Sequence, residues 1–96
     1  MILIKRIDHI QLAAPIGSED EARSFFQGVL SLQEVEKPHE LKKNGGVWFS
    51  NGHIHIHVGI EEPFLPAKKA HPAFEVSDIE ALASQITEKG VSIQHD

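Results

Sequence analysis

The first thirty residues change from a strand-like to a helix-like hydrophobic pattern. Apolar and polar residues alternate over residues 7–14, which predicts a strand that ends at Pro15 and Gly17. The two faces of this strand carry Ile10, Leu12 and Ala14 on one side and His9, Gln11 and Ala13 on the other. Ser18 with Glu21 matches a capping box and predicts an amphipathic helix. The apolar stripe of that helix consists of Ala22, Phe25, Phe26, Val29 and Leu30.

Three further strands are predicted after this helix. Residues 33–37 and 47–51 form short strands on either side of a polar loop, and Asn51-Gly52 is a typical hairpin turn. The return strand, residues 53–60, alternates cleanly between its two faces. One face carries His53, His55, His57 and Gly59, and the other carries Ile54, Ile56, Val58 and Ile60. The aliphatic face is therefore predicted to pack against the helix.

A second strand and helix follow a linker rich in proline and charge. Residues 71–76 predict a strand with one face made of His71, Ala73 and Glu75. Ser77 with Glu80 repeats the capping box, and Gly90 is the expected helix stop. The helix stripe consists of Ile79, Leu82, Ala83 and Ile86. Residues 91–95 are predicted to begin one more strand.

These elements describe an internal repeat within a single domain over residues 1–96. Module one spans residues 1–60, the linker 61–70, and a partial module two 71–96. The first module has the order strand-helix-strand-strand-strand, whereas the second stops after strand-helix-strand. By symmetry the second module lacks about 20–25 residues. An edge strand left exposed in this way favours pairing with another chain, so we expect a homodimer.

Composition and charge narrow the class of protein. Hydrophobic residues make up 41% of the chain, which is enough for a small core. With 9 Lys and Arg against 14 Asp and Glu, the net charge of −5 disfavours nucleic acid and anionic membrane surfaces as partners. No apolar run approaches the roughly 20 residues of a membrane span, and residues 1–6 lack the apolar region of a signal peptide. The absence of cysteine fits a reducing cytoplasm.

The seven histidines are the main candidates for chemistry. Strand residues two apart project from one face at roughly 6.5–7 Å, so His55 and His57 are able to approach one metal ion. His9 and His71 hold equivalent places in the repeat and are candidates to add ligands from neighbouring strands. A single strand histidine is more often exposed or hydrogen-bonded, and only the combination favours a metal site. An open position on such a metal would bind two neighbouring oxygens of a small substrate.

Three other side chains are candidates for contact with a ligand. Gln11 shares a face with His9. Trp48 lies on the strand beside the histidine-bearing strand, so its ring belongs either to the core or to the site. Glu75 shares a face with His71 but lies about 13 Å away along a strand. We therefore predict that Glu75 contacts a substrate or a metal ligand rather than the metal itself. The remaining histidines, His39, His53 and His95, are predicted to be exposed.

The repeated module and its motifs resemble the vicinal oxygen chelate superfamily, which includes glyoxalase I, fosfomycin and bleomycin resistance proteins, and extradiol dioxygenases. The matching motifs are Ile-Asp-His-Ile at residues 7–10 and Ala-His-Pro-Ala-Phe-Glu-Val at residues 70–76. Residues 57–64 are similar to the end of the fourth strand in glyoxalase-like members. The resemblance implies an α+β fold of paired βαβββ modules, with the second module incomplete. It also implies a U-shaped sheet around a divalent metal such as Zn, Ni, Fe or Mn.

The resemblance assigns metal ligands to three positions of this chain. His9 matches the first-strand ligand, His55 the fourth-strand ligand with His57 as the alternative, and His71 the first-strand ligand of module two. The family's fourth ligand, usually a glutamate on the last strand, has no counterpart here. The implied function is a metal-dependent enzyme of lyase, transferase or dioxygenase type that acts on a small oxygenated molecule. The alternative is a resistance-type module that binds a small molecule without turning it over.

The all-β cupins are a second class with a related motif. His55-x-His57 followed by Glu61 resembles part of the cupin metal motif. The flanking glycines are not at the required distances, and two capping boxes with apolar stripes predict two real helices. The sequence therefore favours the α+β interpretation over a jelly roll.

Overall fold

Module one forms a mixed sheet with one covered face in the computed structural model, which describes residues 1–95. The regular elements are β1 (Ile10–Ala14), α1 (Glu19–Ala22), β2 (Gln33–Val35), β3 (Val47–Ser50), β4 (His55–Ile60) and α2 (Ile79–Glu88). The four strands lie in the order β1-β4-β3-β2. β1 runs parallel to β4, while the β4–β3 and β3–β2 pairs are antiparallel. This arrangement confirms the predicted α+β fold and the βαβββ order of module one.

The core lies between this sheet and the helix that joins β1 to β2. Its buried residues are Ala22, Leu32, Val47, Phe49, Ile56 and Val58. Phe49 and Ile56 are fully buried, and the ring of Phe26 stacks on Phe49 with centroids 5.3 Å apart. Val47 pairs with Val58 in the register of β3 and β4, and Phe49 pairs with Ile56. The predicted aliphatic face therefore packs against the helix, and the histidine-bearing face is left open.

The predicted helix after Ser18 is irregular. Only Glu19–Ala22 is α-helical, and Arg23–Val29 continues as a π-helix. Of the predicted apolar stripe, Ala22 and Val29 are buried, whereas Phe25, Phe26 and Leu30 are half-buried. The wider turn of a π-helix changes which residues share a face, so a stripe drawn at α-helical spacing is only partly buried.

Neither predicted capping box forms, although Ser18 is the N-cap residue of α1 as predicted. The Ser18 hydroxyl donates to the Pro15 carbonyl instead of capping α1. At α2 the N-cap is Asp78, whose carboxylate oxygen accepts a hydrogen bond from the Ala81 backbone N–H at 3.0 Å. Aspartate is as good an N-cap as serine, and here it stands one residue nearer the helix than Ser77. Gly90, predicted as the helix stop, follows α2 with a φ of +83°.

Several strand and loop boundaries also differ from the prediction. β1 and β4 each begin later than predicted, at Ile10 and His55. The predicted loop between β2 and β3 contains a 3-10 helix, His39–Asn44. The predicted hairpin does connect β3 to β4, with Gly52 at a φ of +90° and the Asn51 side chain accepting backbone N–H groups of the turn.

The second module departs most from the prediction. Residues 71–76 and 91–95, both predicted as strands, have no strand structure. Pro72 cannot donate a ladder hydrogen bond, and no neighbouring strand of the described residues pairs with this segment. Helix α2 contains no buried residue, and the Ile79 side chain of its apolar stripe is 69% exposed. Asp96, the last residue of the predicted second module, lies outside the described residues.

The helices are short. Among residues 1–95, none is long and apolar enough to cross a membrane.

Candidate functional site

The open face of the sheet brings together side chains from three strands or their flanks. Gln11 of β1 and Trp48 of β3 both pair in register with His57 of β4, so these three residues form one row across the sheet. His9 precedes β1, and its ring stacks on that of His57. The structure thus places four of the predicted site residues on the face opposite the core.

His57 lies between two parallel rings. Its centroid is 4.0 Å from that of His9, with an interplanar angle of 15°, and 3.7 Å from that of Trp48, with an angle of 2°. Burial lowers the pKa of His57, and the charge of His9 lowers this pKa further. His57 is therefore neutral at pH 7, which keeps a ring nitrogen lone pair available.

His9 is held by its neighbour in sequence. Its Nδ1 lies 2.9 Å from the Asp8 carboxylate oxygen Oδ2. This hydrogen bond lowers the pKa of Asp8 below its ordinary value, with smaller contributions from nearby positive charges. Because an ionised carboxylate only accepts hydrogen bonds, Nδ1 carries the proton in this pair. The lone pair of neutral His9 is then on Nε2. This contact of Asp8 was not predicted from the sequence, in which only His9 belonged to a pattern of candidate metal ligands.

Gly59 makes room for the amide of Gln11. A Cβ atom at Gly59 would lie 2.6 Å from Gln11 Nε2, so a larger residue would displace this side chain. Gln11 Nε2 also donates to the Leu12 carbonyl at 3.0 Å. The Gln11 amide thus lies close to the Gly59 backbone of β4.

His55 lies two residues before His57 on β4 and projects from the same face. It is exposed, and its charge contributes to the lowered pKa values of Asp8 and His57. The predicted pair of strand histidines therefore exists on the open face, with one ring stacked and the other exposed.

His71 and Glu75 are not part of this face. Both lie in the irregular segment before α2 and are exposed. His71 Nδ1 lies 2.7 Å from the Lys69 carbonyl oxygen. Within residues 1–95, no hydrogen bond, ion pair or ring contact joins either side chain to the open face. The predicted strand that would have carried them to the sheet is absent from this segment.

The residue types of the open face suit a divalent metal, because neutral imidazoles are preferred ligands of Zn, Ni and Fe. The number of grouped ligands is too small for a complete site. Among the described residues, no three or more His, Cys, Asp or Glu side chains are grouped closely enough to hold a metal ion. The open face therefore provides part of a metal site.

A groove at the far edge of the sheet was missed in the sequence. It has a volume of about 490 Å³, and its lining includes Trp48, Lys37 and Lys42. Lys42 forms an ion pair with Glu36 at 2.7 Å, and the Lys37 ammonium donates to the Gly45 carbonyl. The only signal for it in the sequence is the clustering of charged residues before Trp48. Its lining includes both Trp48 of the open face and Val47 of the core.

Comparison with known proteins identifies the family. Residues 6–96 match the Glyoxalase/Bleomycin resistance protein/Dioxygenase superfamily. A glyoxalase family protein from Bacillus anthracis is 47% identical, with a TM-score of 0.88 over 94% of this chain and 74% of that chain. The chain therefore belongs to the Glyoxalase/Bleomycin resistance protein/Dioxygenase superfamily. No curated protein matches the sequence.

More distant structures share the fold. The fosfomycin resistance protein FosX from Listeria monocytogenes is 16% identical, with a TM-score of 0.71 over 97% of this chain and 73% of that chain. A virulence protein from Salmonella typhimurium is 22% identical, with a TM-score of 0.64 over 99% of this chain and 76% of that chain. A mutant of the Listeria FosX was crystallised with Mn(II) and 1S,2S-dihydroxypropylphosphonic acid.

Proposed function

We propose that the open face is a metal-dependent site for a small oxygenated molecule. His9, His55 and His71 are the proposed ligands of a divalent ion, Zn, Ni, Fe or Mn. The observation that carries the proposal is the placement of His9, His55 and His57 on the face opposite the core. On this face the rings of His9, His57 and Trp48 are stacked, and His55 lies two residues before His57 on the same strand.

The ring geometry supports His55 over His57 as the second ligand. A metal lies in the plane of the imidazole that binds it, close to 2.0–2.1 Å from nitrogen in a typical Zn site. The planes of His9 and His57 are nearly parallel and stacked, so their lone pairs do not converge on one point. His57 is accordingly proposed as a wall of the site, and it becomes a ligand only if its ring leaves the stack.

The remaining residues have proposed roles in binding the substrate. A bound divalent ion supplies Lewis-acid stabilisation of an enolate or alkoxide oxygen. The Gln11 amide and the Trp48 ring lie in the row of His57 and are proposed to position the substrate. Glu75 is proposed to contact it from module two. The reaction class is that of a lyase, transferase or dioxygenase. The Mn(II) complex of the Listeria FosX is consistent with this type of site.

A second copy of the chain is the proposed source of missing ligands. Within the described residues β1 pairs only with β4, which leaves its other edge with free backbone groups. Exposed apolar side chains precede this edge strand, namely Ile2, Leu3, Ile4 and Ile7. We propose a homodimer in which modules from two chains complete one U-shaped sheet, so that the partner chain supplies ligands that the open face lacks. Sedimentation should give a dimer at micromolar concentration, and a stable monomer would remove this part of the proposal.

A non-catalytic binding module is the second candidate. It is favoured by the groove beside Trp48, which offers an aromatic surface and charged groups without any metal. In either case the proposed ligand is a small molecule, and the net charge of −5 argues against nucleic acid or an anionic membrane. The cysteine-free composition suits a cytoplasmic location.

Calorimetric titration of metal-stripped protein with Zn²⁺ and Ni²⁺ tests the proposal. His9→Ala, His55→Ala and His71→Ala should each weaken binding strongly, since a site with two ligands is incomplete. His39→Ala is the matched control, because His39 is exposed and lies in the 3-10 helix. Equal uptake by all variants would reject these ligands. Loss of binding in His57→Ala alone would mean that His57, and not His55, is the metal ligand from β4.

A further inference from the structure

The groove beside Trp48 lies where the pairing of β2 with β3 ends. Val35 and Trp48 are the last pair of these strands, and Val47, the next residue of β3, has no partner in β2. We propose that this groove binds a small molecule with a flat apolar body and one anionic group, the body lying against Trp48 and Val35 and the anion on the Lys37 ammonium. This inference rests on the second candidate of the proposed function, a binding module, and it needs no metal.

The indole of Trp48 has one face covered and the other directed toward the groove. The covered face stacks on His57 of β4, with centroids 3.7 Å apart and an interplanar angle of 2°. Because β3 and β4 are neighbouring strands, this stack runs across the sheet, and the opposite face of the indole is directed toward β2. There the register partner is Val35, which lines the groove and is 37% exposed. These two side chains together favour a flat or apolar group.

Lys37 is the uncompensated positive charge of the groove. The neighbouring lysine, Lys42, is paired with Glu36 at 2.7 Å. Glu34, the other carboxylate of the lining, is paired with Arg23 at 2.8 Å. Among the ion pairs of residues 1–95, none includes Lys37. The groove therefore offers one cation without a carboxylate partner, which favours a ligand with a single anionic group.

The loop before β3 holds the Lys37 side chain in place. Its ammonium donates one hydrogen bond to the Gly45 carbonyl, and an ammonium has two further N–H groups to offer a ligand. The next residue, Gly46, donates its N–H to the Glu19 carboxylate at 3.0 Å. The loop is thus fixed at two successive residues, and Lys37 is half-buried. A lysine held in this way loses less side-chain entropy when a ligand binds.

The charge of Lys37 reaches the stacked rings. The pKa of His57 is lowered mainly by burial, and Lys37 is among the positive groups that lower it further. The ammonium and the Trp48 indole also line the same groove, whose volume is about 490 Å³. Small-molecule sites commonly have a volume of about 300–1,000 Å³. One small molecule is therefore able to contact both groups.

Benzoate is the probe that tests this ligand class. Metal-stripped, dialysed protein at about pH 7.5 is titrated with benzoate, benzamide and acetate while the backbone amides are followed by NMR. We expect benzoate to shift the amides of Val35, Lys37 and Trp48. Benzamide has nearly the same shape without the charge, and it should bind about fivefold to tenfold more weakly. Acetate has the charge without the ring and should also bind more weakly than benzoate.

Substitutions at Lys37 separate its charge from its contact with the loop. Lys37→Gln removes the charge, but its amide is still able to donate to the Gly45 carbonyl, so only the preference for benzoate over benzamide should be lost. Lys37→Met should give the same result, and Lys37→Arg should keep the preference. Lys43→Met is the matched control, because Lys43 is exposed and does not line the groove. The NMR spectrum of each free variant reports whether it is folded.

A preference for benzoate that is lost in Lys37→Gln and kept in Lys43→Met supports the proposal. Equal affinities for benzoate and benzamide in the wild type, no binding of benzoate, or a preference that persists in Lys37→Gln would overturn it. Repeating the titration with Zn²⁺ separates this inference from the proposed metal site. Benzoate binding that requires Zn²⁺ and is lost in His9→Ala would place the anion on the metal and overturn the role of Lys37. A preference that depends on Lys37 in protein that binds no Zn²⁺ would support the inference and reject the metal site.

Discussion

The indole ring of Trp48 lies parallel to the imidazole of His57, with 3.7 Å between their centroids. The two residues face each other across the antiparallel pair of β3 and β4. This stack shields His57 from water and contributes to the burial that lowers its pKa. It also makes the chain's single tryptophan a reporter of the charge on His57.

Tryptophan fluorescence should therefore titrate below the ordinary histidine range. The pKa of His57 is lowered first by burial and then by the charge of His9, so the midpoint should fall below about 6.5. In His9→Ala the midpoint should rise, because one positive neighbour is removed. His57→Ala is the control and should abolish the transition. A midpoint at or above that of an exposed histidine would show that His57 is not buried in the stack.

The same lowered pKa has a consequence for stability. Below about pH 6.5 the unfolded chain binds a proton at this histidine more readily than the folded chain does. The stabilising contribution of neutral His57 is therefore fully present above about pH 6.5. It is lost as the pH falls through the pKa that His57 has in the folded protein. Urea unfolding should show that the free energy of unfolding falls from pH 7.5 to pH 5.5 in both proteins. The decrease should be smaller for His57→Gln than for the wild type. Equal losses would contradict the assignment.

Gly46 should be the glycine most sensitive to substitution. A Cβ atom there would lie 2.3 Å from the Val58 carbonyl oxygen, at a φ of +87°. Gly52 has a similar φ of +90°, but a Cβ atom at Gly52 would have nothing within 4 Å, so Gly52→Ala isolates the backbone strain at about 1–2 kcal/mol. Gly46→Ala adds a steric clash and should cost clearly more in urea unfolding. Equal costs for the two variants would mean that the loop can move away from β4 freely.

Asp78, rather than Ser77, should control the start of α2. Asp78→Ala removes the hydrogen bond to the Ala81 N–H and should destabilise the helix by about 0.5–2 kcal/mol. Ser77→Ala should have little effect, since the Ser77 side chain is not the cap. Because α2 has no buried residue, amide exchange within the helix is a better measure than global unfolding. Faster exchange in Ser77→Ala than in Asp78→Ala would mean that Ser77 is the cap, as the sequence predicts.

The sequence predicted the strand faces of module one well because strict alternation of apolar and polar residues has a single interpretation. The alternation in β4 separates His55 and His57 from Ile56 and Val58, and the sheet buries the aliphatic face as expected. The period of a strand is fixed by backbone geometry, so the faces follow once the strand is known. The open-face position of His55 and His57 follows from the same fact, whereas His71 lies outside the sheet.

The sequence was a poor guide where structure depends on contacts that local patterns do not encode. Residues 71–76 alternate like a strand, but a strand needs a paired neighbour, and this segment has none in the described part of the chain. The π-helix at Arg23–Val29 shifts the faces of an otherwise regular stripe. The Asp8 hydrogen bond and the His57 stack depend on side-chain rotamers, which a pattern of residue types cannot specify.

X-ray absorption of the Zn-loaded protein counts the imidazoles around the metal and so tests whether the histidine-bearing face is a metal site. We expect three imidazole nitrogens at about 2.0–2.1 Å in the wild type. We expect two in His9→Ala and an unchanged three in His39→Ala. Two or fewer imidazoles in the wild type, or an unchanged count in His9→Ala, would contradict the claim that the histidine-bearing face of this sheet is a metal site.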